Sequence, residues 1–338
     1  MRNDRDNVNE EKRAILVLGM HRSGTSAMTR LMSLCGAALP RSLMPAVEGD
    51  NSLGYWESSV LYDLHVEYMK ERGGWKSHAA MSEEWAEAAH DDEWASRLAE
   101  AIEAEYDDAH PLWVIKDPRM CLIAPLWKRV LADLGRKVYV ILIVRNPIEV
   151  VESLAHSPRG IARSDALLLW LNYVLSAERH SRGCARCFVS YEDLISDWRM
   201  AVSRVSAQFG LRSSLLDASE KGVIDKFIDP RHRHHVVLDD DVLALPGPGA
   251  WVHAAYTWHL RAAGDQEPEA DELDVLSDEI RRAIQVFLPM ITQLQTIESK
   301  ETGNTRKSMS EVSGVRTLVA GENEQDATME SIDQRGQT

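Results

Sequence analysis

Five consecutive apolar residues, Ala14 to Leu18 (AILVL), run directly into Gly19-Met20-His21-Arg22-Ser23-Gly24-Thr25-Ser26. Apolar positions then recur at Ala27, Met28, Leu31, Met32 and Cys35. The first run is short and unbroken, as in a parallel strand buried on both faces. The second has the three-and-four spacing of a helix, with Gly36 placed to end it. The order strand, glycine-rich loop, helix returns in variant form along the chain. Leu112 to Ile115 reads as a strand ending in Lys116-Asp117-Pro118-Arg119. Val138 to Val144 (VYVILIV) is the strongest strand signal and ends in Arg145-Asn146-Pro147. There Asn146 is a helix cap, Pro147 suits the first helical position and Glu149 favours the first turn. Cys187 to Ser190 is a fourth strand, followed by Tyr191-Glu192-Asp193-Leu194 and a helix closing near Gly210. Ser164 to Ser181 is an apolar helix. Residues 63–109 read as helical and acidic, with Trp94, Leu98 and Ile102 four apart, and further helices are expected over about 252–263 and 271–296. Residues 37–62 and 211–250, rich in loop signals, connect these elements.

Strands alternating with helices predict an α/β fold: a three-layer parallel sheet with helices on both faces. Ligands of such sheets bind where strands end and helices begin. The segments 19–26, 116–119 and 145–153 fall at those places. The 338 residues are 44% apolar, enough for a sizeable core. The expected organisation is a polar N-terminal extension over 1–13, one domain over 14–297, and a polar, disordered tail over 298–338. The net charge of −15 argues against nucleic-acid binding by bulk charge but allows a local basic pocket for a small polyanion. No apolar run reaches the roughly 18 residues of a membrane span. The charged stretch Met1 to Arg13 lacks the apolar centre of a secretory signal. Four cysteines make no disulfide framework, so a reducing cytoplasm is the simplest setting.

The first loop has the chemistry of an anion cradle. Glycines let backbone N–H groups close around phosphate oxygens, the following helix adds its positive end, and Thr25 and Ser26 add hydroxyl donors. A nucleotide triphosphatase loop needs Lys after its second glycine and an acidic metal partner at a strand end. Here Thr25 takes the lysine position, the loop cation is Arg22, and the strand 138–144 ends in Arg145. Both changes favour a metal-free site whose electrostatics rest on arginine. A nucleotide kinase or NTPase, and a glycine turn that serves packing alone, remain the alternatives to a nucleotide-anion site.

Arg22-Ser23-Gly24-Thr25-Ser26 resembles the 5′-phosphosulfate loop of sulfotransferases that use 3′-phosphoadenosine 5′-phosphosulfate (PAPS). Arg145-Asn146-Pro147, with Ser153 eight residues after the arginine, is similar to that family's 3′-phosphate motif. Tyr191-Glu192-Asp193-Leu194 looks like its adenine-side stretch. With Asn51-Ser52-Leu53-Gly54-Tyr55-Trp56-Glu57 and Lys116-Asp117-Pro118-Arg119, the set resembles bacterial soluble sulfotransferase-family proteins. The resemblance implies a P-loop NTPase-like sulfotransferase fold and transfer of sulfonate from PAPS, a co-substrate, to a hydroxyl or amine acceptor without a metal. It assigns the nucleotide to Gly19, His21, Arg22, Ser23, Gly24, Thr25, Ser26, Arg145, Ser153 and Tyr191. Ala27 departs from the pattern, because an aromatic often stands there to stack on adenine.

Transfer of a charged group between in-line oxygens needs neutralisation of the leaving bisphosphate and a base for the acceptor proton. Arg22, with the backbone and hydroxyls of Ser23 to Ser26, serves the first need; the resemblance at Lys116-Asp117-Pro118 implies Lys116 as a partner of the transferring group, with an ordinary strand-end lysine as the competing reading. For the second, the strand end at Lys116 lacks the histidine of the small-molecule class and looks closer to the Lys-Asp-Pro of tyrosylprotein sulfotransferases, whose base is a glutamate after the phosphate loop. Glu57, beside two aromatics, is the preferred base; Glu48, Asp117 and His65 are reserves, and a helix-capping role for Glu57 is the competing reading. The acceptor is expected to be a carbohydrate or other small molecule, on family analogy alone. A non-catalytic protein binding the nucleotide or a glycan is the further alternative. The acceptor's identity and the oligomeric state are open. Cys184-Ala185-Arg186-Cys187 lacks the second pair a zinc site needs. Most of the tryptophans, such as Trp94, Trp113 and Trp170, sit at core-like positions, and Arg231 to His235 reads as an anion contact or a solvated loop.

Overall fold

In a computed structural model the chain divides into a compact unit, Met1–Arg281, and a second unit, Arg282–Thr338. The structure describes residues 11–48, 51–72, 89–156, 161–211, 221–228, 241–242, 245, 247–266 and 268–286. Of the expected extension over 1–13, residues 1–10 lie outside the described residues and Arg13 is the first residue of a strand; the basic segment Arg231 to His235 and the tail over 298–338 also lie outside the described residues.

The first unit is built on four parallel strands: β1 (Arg13–Leu18), β2 (Leu112–Ile115), β3 (Lys137–Val144) and β4 (Ala185–Ser190), in the spatial order β2-β1-β3-β4. Every residue from Ala14 to Leu18 is fully buried, which requires cover on both faces of the sheet. On one face Ile15, Val17, Ile141, Ile143 and Val189 pack against α1 (Thr25–Leu34), α7 (Tyr191–Ser196), α8 (Trp198–Phe209) and α9 (Lys221–Phe227). On the other, α4 (Met120–Asp133), α6 (Arg163–Ser181) and α10 (Gly249–Ala263) lie against the sheet. The expected α/β architecture, a parallel sheet between two helical layers, is therefore present. The helices α2 (Ser59–Glu71), α3 (Asp92–Glu105) and α5 (Pro147–Ala155), and a last helix over residues 270–286, complete the described elements.

Local chemistry explains the element ends. Asn146 caps α5 by accepting from the Ile148 N–H at 3.0 Å, with Pro147 at the first position. Gly36 and Gly210 take left-handed conformations at the ends of α1 and α8. The first long loop is shorter than the sequence predicts. Ser58 accepts from the Leu61 N–H and starts α2 at Ser59, four residues before the expected boundary. Helix α4 carries no sequence-based expectation, because Pro125 lies within its apolar run and the helix is kinked at Ile123. Leu16→Ala would leave a cavity at a fully buried position between the sheet and its helices. It should cost about 2–5 kcal/mol, read as a lower urea midpoint with an unchanged slope.

Candidate active site

The register of the parallel strands gathers the functional side chains. Leu18 pairs with Leu142, Leu16 with Ile115, and Val144 with Ser190. The residues that follow all four strands therefore emerge along one edge of the sheet. There they line a cavity of about 220 Å³, to which His21, Arg22, 24–26, Lys116, Arg119, Arg145 and Tyr191 contribute. Residues 51–55, Glu57, Tyr62, Phe227 and Ile228 line it as well.

The loop after β1 owes its shape to two glycines with different reasons. A Cβ on Gly19 would stand 2.6 Å from the carbonyl oxygen of Ile143. Gly24 has φ +91° and a Cβ there would meet the Tyr191 ring at 2.4 Å. The first permits close strand packing and the second a left-handed turn under an aromatic. Gly19 lies beneath the cradle, and its N–H donates to Cys121 Sγ at 3.2 Å. His21, Arg22, Gly24, Thr25 and Ser26 line the cavity. The Ser23 hydroxyl is buried at the loop and hydrogen-bonds no described residue. Such an orphaned hydroxyl within a glycine-shaped turn fits an anion ligand.

The two arginines singled out in the sequence stand side by side. Arg145 Nη1 donates to the Arg22 carbonyl at 3.0 Å, and Arg22 Nε donates to Ser153 Oγ at 2.9 Å. Ser153, two turns into α5, therefore reaches the 19–26 loop through Arg22. Arg145 also donates to Glu149 at 2.9 Å and lies 4.4 Å over the Tyr191 ring, so the strand-end ion pair weighed in the sequence is present too. This guanidinium is held by a carboxylate, a carbonyl and an aromatic face, a rigid presentation of a fork-shaped donor.

Across the cavity Lys116 Nζ donates to Ser26 Oγ and to the Tyr55 carbonyl, each at 3.1 Å, and to Glu57 Oε1. Ser26 in turn donates to the Tyr55 carbonyl at 3.1 Å. Lysine, hydroxyl, carbonyl and carboxylate thus form one buried cluster joining the phosphate loop to the 51–57 segment. Burial pushes the Glu57 carboxyl up, and the nearby Lys116 ammonium pulls it only part of the way back. Glu57 is not the cap of α2; that place belongs to Ser58.

The reserve bases stand elsewhere. Glu48 is exposed and does not line the cavity. His65 Nδ1 and Asp117 Oδ2 are 2.8 Å apart, and Trp127 Nε1–H donates to His65 Nε2 at 3.0 Å. The indole has no acceptor to offer, so Nε2 accepts and Nδ1 carries the proton toward Asp117. Asp117 Oδ1 accepts from the Arg119 N–H and from Arg119 Nη1, at 2.9 and 2.8 Å. Burial alone would raise the Asp117 carboxyl. The Arg119 guanidinium and then His65 outweigh it and hold Asp117 well below the usual carboxylate range. Both reserves are thereby committed to holding Arg119, which stacks 4.4 Å over Tyr62 and lines the cavity. Arg119, within the flagged segment 116–119, and Tyr62 line the cavity, and the sequence reading gave neither a role. The usable signal was Asp117-Pro118 before an apolar run, which marks a helix start and a backbone-bonded aspartate.

Among the described residues no group of three His, Cys, Asp or Glu side chains stands where it could ligate a metal. Nor is any described helix long and apolar enough to cross a membrane. Asp117→Asn would leave the Arg119 guanidinium buried opposite a neutral amide, and should destabilise the fold by about 3–5 kcal/mol. Because the Asp117 pKa is depressed on folding, its contribution is fully present above the unfolded value of about 4 and is lost as pH falls below it. Acid titration of wild type and variant, followed by urea unfolding, should show this loss in the wild type alone.

A sequence model described as the sulfotransferase family matches residues 14–214. Three solved structures resemble the chain. The sulfotransferase domain of the Synechococcus PCC 7002 olefin synthase is 16% identical, with 80% of this chain and 96% of that one covered and a TM-score of 0.38. The sulfotransferase domain from the curacin biosynthetic pathway is 16% identical, with 80% and 98% covered and a TM-score of 0.39. Sulfotransferase STF1 of Mycobacterium tuberculosis H37Rv is 18% identical, with 72% and 76% covered and a TM-score of 0.38. Comparison with curated proteins gives no significant match. The family match spans more than half of the chain and contains the loop at 19–26, Glu57, Lys116, Arg145, Ser153 and Tyr191, so this protein belongs to the sulfotransferase family.

Proposed function

We propose that the protein transfers a sulfonate group from PAPS to the hydroxyl or amine of a small-molecule or carbohydrate acceptor, in the cytoplasm and without a metal. The observation that carries this reading is the convergence of two arginines, Arg22 and Arg145, the second bonded to the backbone carbonyl of the first, with a buried Lys116–Glu57 pair on one cavity. An ordinary packing turn has no use for that combination. The buried Ser23 hydroxyl and the Gly24 turn fit an anion at the loop.

In this reading the 21–26 loop and Lys116 hold the 5′-phosphosulfate, while Arg145 and Ser153 take the 3′-phosphate. Tyr191 already carries Arg145 over its ring, and among the other aromatics that line the cavity we assign Phe227 to stack on adenine in place of the missing residue at Ala27. The bound donor supplies the activated sulfonate and a bisphosphate leaving group. Around it the protein works mainly by electrostatics: Arg22 and Lys116 place positive charge where the leaving oxygen becomes anionic. Glu57 takes the acceptor proton on its carboxylate, and burial makes it a stronger base than an exposed glutamate. The cavity wall over 51–62 forms the acceptor side. The sulfotransferase domain is assigned to residues 14–297, flanked by the polar extension 1–13 and the tail 298–338.

Calorimetric titration with adenosine 3′,5′-bisphosphate should give one binding site that needs no magnesium. Arg22→Ala and Arg145→Ala should each weaken it about 10- to 100-fold. The absence of binding to the wild type overturns the reading. Incubating a cell extract with radiolabelled donor, and identifying the labelled product, gives the acceptor class.

With that acceptor, Glu57→Gln should keep bisphosphate affinity and lower turnover about 10²- to 10⁴-fold. The wild-type rate should fall as pH drops through the Glu57 pKa, and the midpoint should lie above the usual carboxylate value of about 4.3. Turnover that survives in Glu57→Gln moves the base to another residue.

A further inference from the structure

The segment that delivers Glu57 to Lys116 is bent by two left-handed residues on either side of Tyr55. Gly54 has φ +93°, where glycine is at ease. Trp56 has φ +57°, which a bulky side chain adopts only when the surroundings compel it. Between the two, the Tyr55 carbonyl points at Ser26 Oγ and Lys116 Nζ, at 3.1 Å each. Immediately after Trp56, the Glu57 carboxylate meets the same ammonium.

The Trp56 side chain does not line the cavity. The Arg30 guanidinium of α1 lies 4.4 Å over its ring, and Phe227 of α9 meets it edge-on with centroids 6.1 Å apart. Gly54 lies against the ring as well: a Cβ there would stand 3.4 Å from the indole. The ring is therefore clamped by elements on both sides of the 51–57 turn while its own backbone is strained. Strain of this kind persists only where packing over-determines the conformation, and here that conformation aims two groups at one lysine.

We propose that Trp56 is a positioning residue, whose ring, held between Arg30 and Phe227, keeps the 54–57 backbone in the left-handed turn that sets the Tyr55 carbonyl and the Glu57 carboxylate on Lys116. The inference rests on the proposed roles of Glu57 and Lys116 in sulfonate transfer, but the geometry it concerns is testable without turnover. Losing the ring releases the turn, uncovers Lys116 and separates it from Glu57. Trp56→Gly discriminates further: it relieves the backbone strain and removes the ring together, so if strain alone mattered it would behave as wild type.

Acetylation of the full-length protein by acetic anhydride, mapped by mass spectrometry, reads the accessibility of Lys116 against the exposed Lys70. Labelling of Lys116 relative to Lys70 should rise about tenfold in Trp56→Ala and in Trp56→Gly, and stay within twofold of wild type in Trp56→Phe. Transfer of labelled sulfonate should fall at least tenfold in the first two variants and recover in the third, a rescue that a general loss of stability would not give. If Trp56→Ala fails to unfold cooperatively, Arg30→Met removes only the cation from the ring face and should raise Lys116 labelling about threefold. Wild-type labelling in Trp56→Gly and Arg30→Met overturns the inference, as does wild-type turnover in a folded Trp56→Ala. A wild-type protein that binds no adenosine 3′,5′-bisphosphate overturns the sulfonate reading instead and leaves the labelling result standing.

Discussion

Leu18 is paired with Leu142 and Leu16 with Ile115, and on these parallel registers the position of each charged group in the cavity depends. A strand contributes its side chains alternately to two faces, but its C-terminal end contributes the residues that follow it to a single edge. With β1 between β2 and β3, the chain leaves β1 into the glycine loop, β2 into Lys116 and β3 into Arg145, and all three meet without any long side chain having to search for its partner. A slip of one residue in β3 would turn Ile141 and Ile143 out of the core they share with Val17 and Val189. The apolar faces of the sheet therefore fix the geometry of a polar site, which meets them at Ile143 beneath Gly19 and Gly24.

That site gathers charge in a buried setting, and it does so in compensated sets. Lys116 faces Glu57, Arg119 faces Asp117, and Arg145 faces Glu149. An isolated buried charge would cost several kcal/mol, and pairing removes most of that cost without making the pairs a net source of stability. What they supply is direction. The run Trp127 to His65 to Asp117 to Arg119 uses one indole, one imidazole and one carboxylate to orient a single guanidinium beside the cavity. Every member's donor and acceptor roles are set by its neighbour, so the imidazole N–H is committed to Asp117 and its other nitrogen to Trp127.

The strands were legible in the sequence because their apolar runs are unbroken and each ends abruptly in polar residues or glycine. The cap at Asn146 and the turn at Gly36 were legible for the same reason, since one residue type meets one local requirement. Arg22, Arg145 and Ser153 could be named from their spacing, but not the way they connect: that Ser153 reaches the loop through Arg22 is a consequence of how α5 packs beside it. Helix α4 escaped because Pro125 obscures a periodicity that is otherwise continuous. His65 and Asp117 looked like spare bases because residue type alone does not reveal the tautomer that Trp127 imposes, nor the two bonds that Arg119 draws from one carboxylate oxygen.

The left-handed Trp56 is the furthest from sequence, and the reason is physical. A glycine at 54 announces a turn, because its freedom is intrinsic; a tryptophan at 56 announces only bulk. Its conformation is stable because Arg30, two turns into the helix after the phosphate loop, and Phe227, from an element more than 150 residues away, close on the same ring. The helix that begins at the anion cradle thus also anchors the segment bearing the carboxylate. Ser26 makes the same connection from the other direction, through the Tyr55 carbonyl. Cradle and carboxylate are held to one helix by two independent contacts. A rigid link of this kind fixes the 19–26 loop and the Glu57 carboxylate relative to each other, where a flexible one would only bring them into the same cavity.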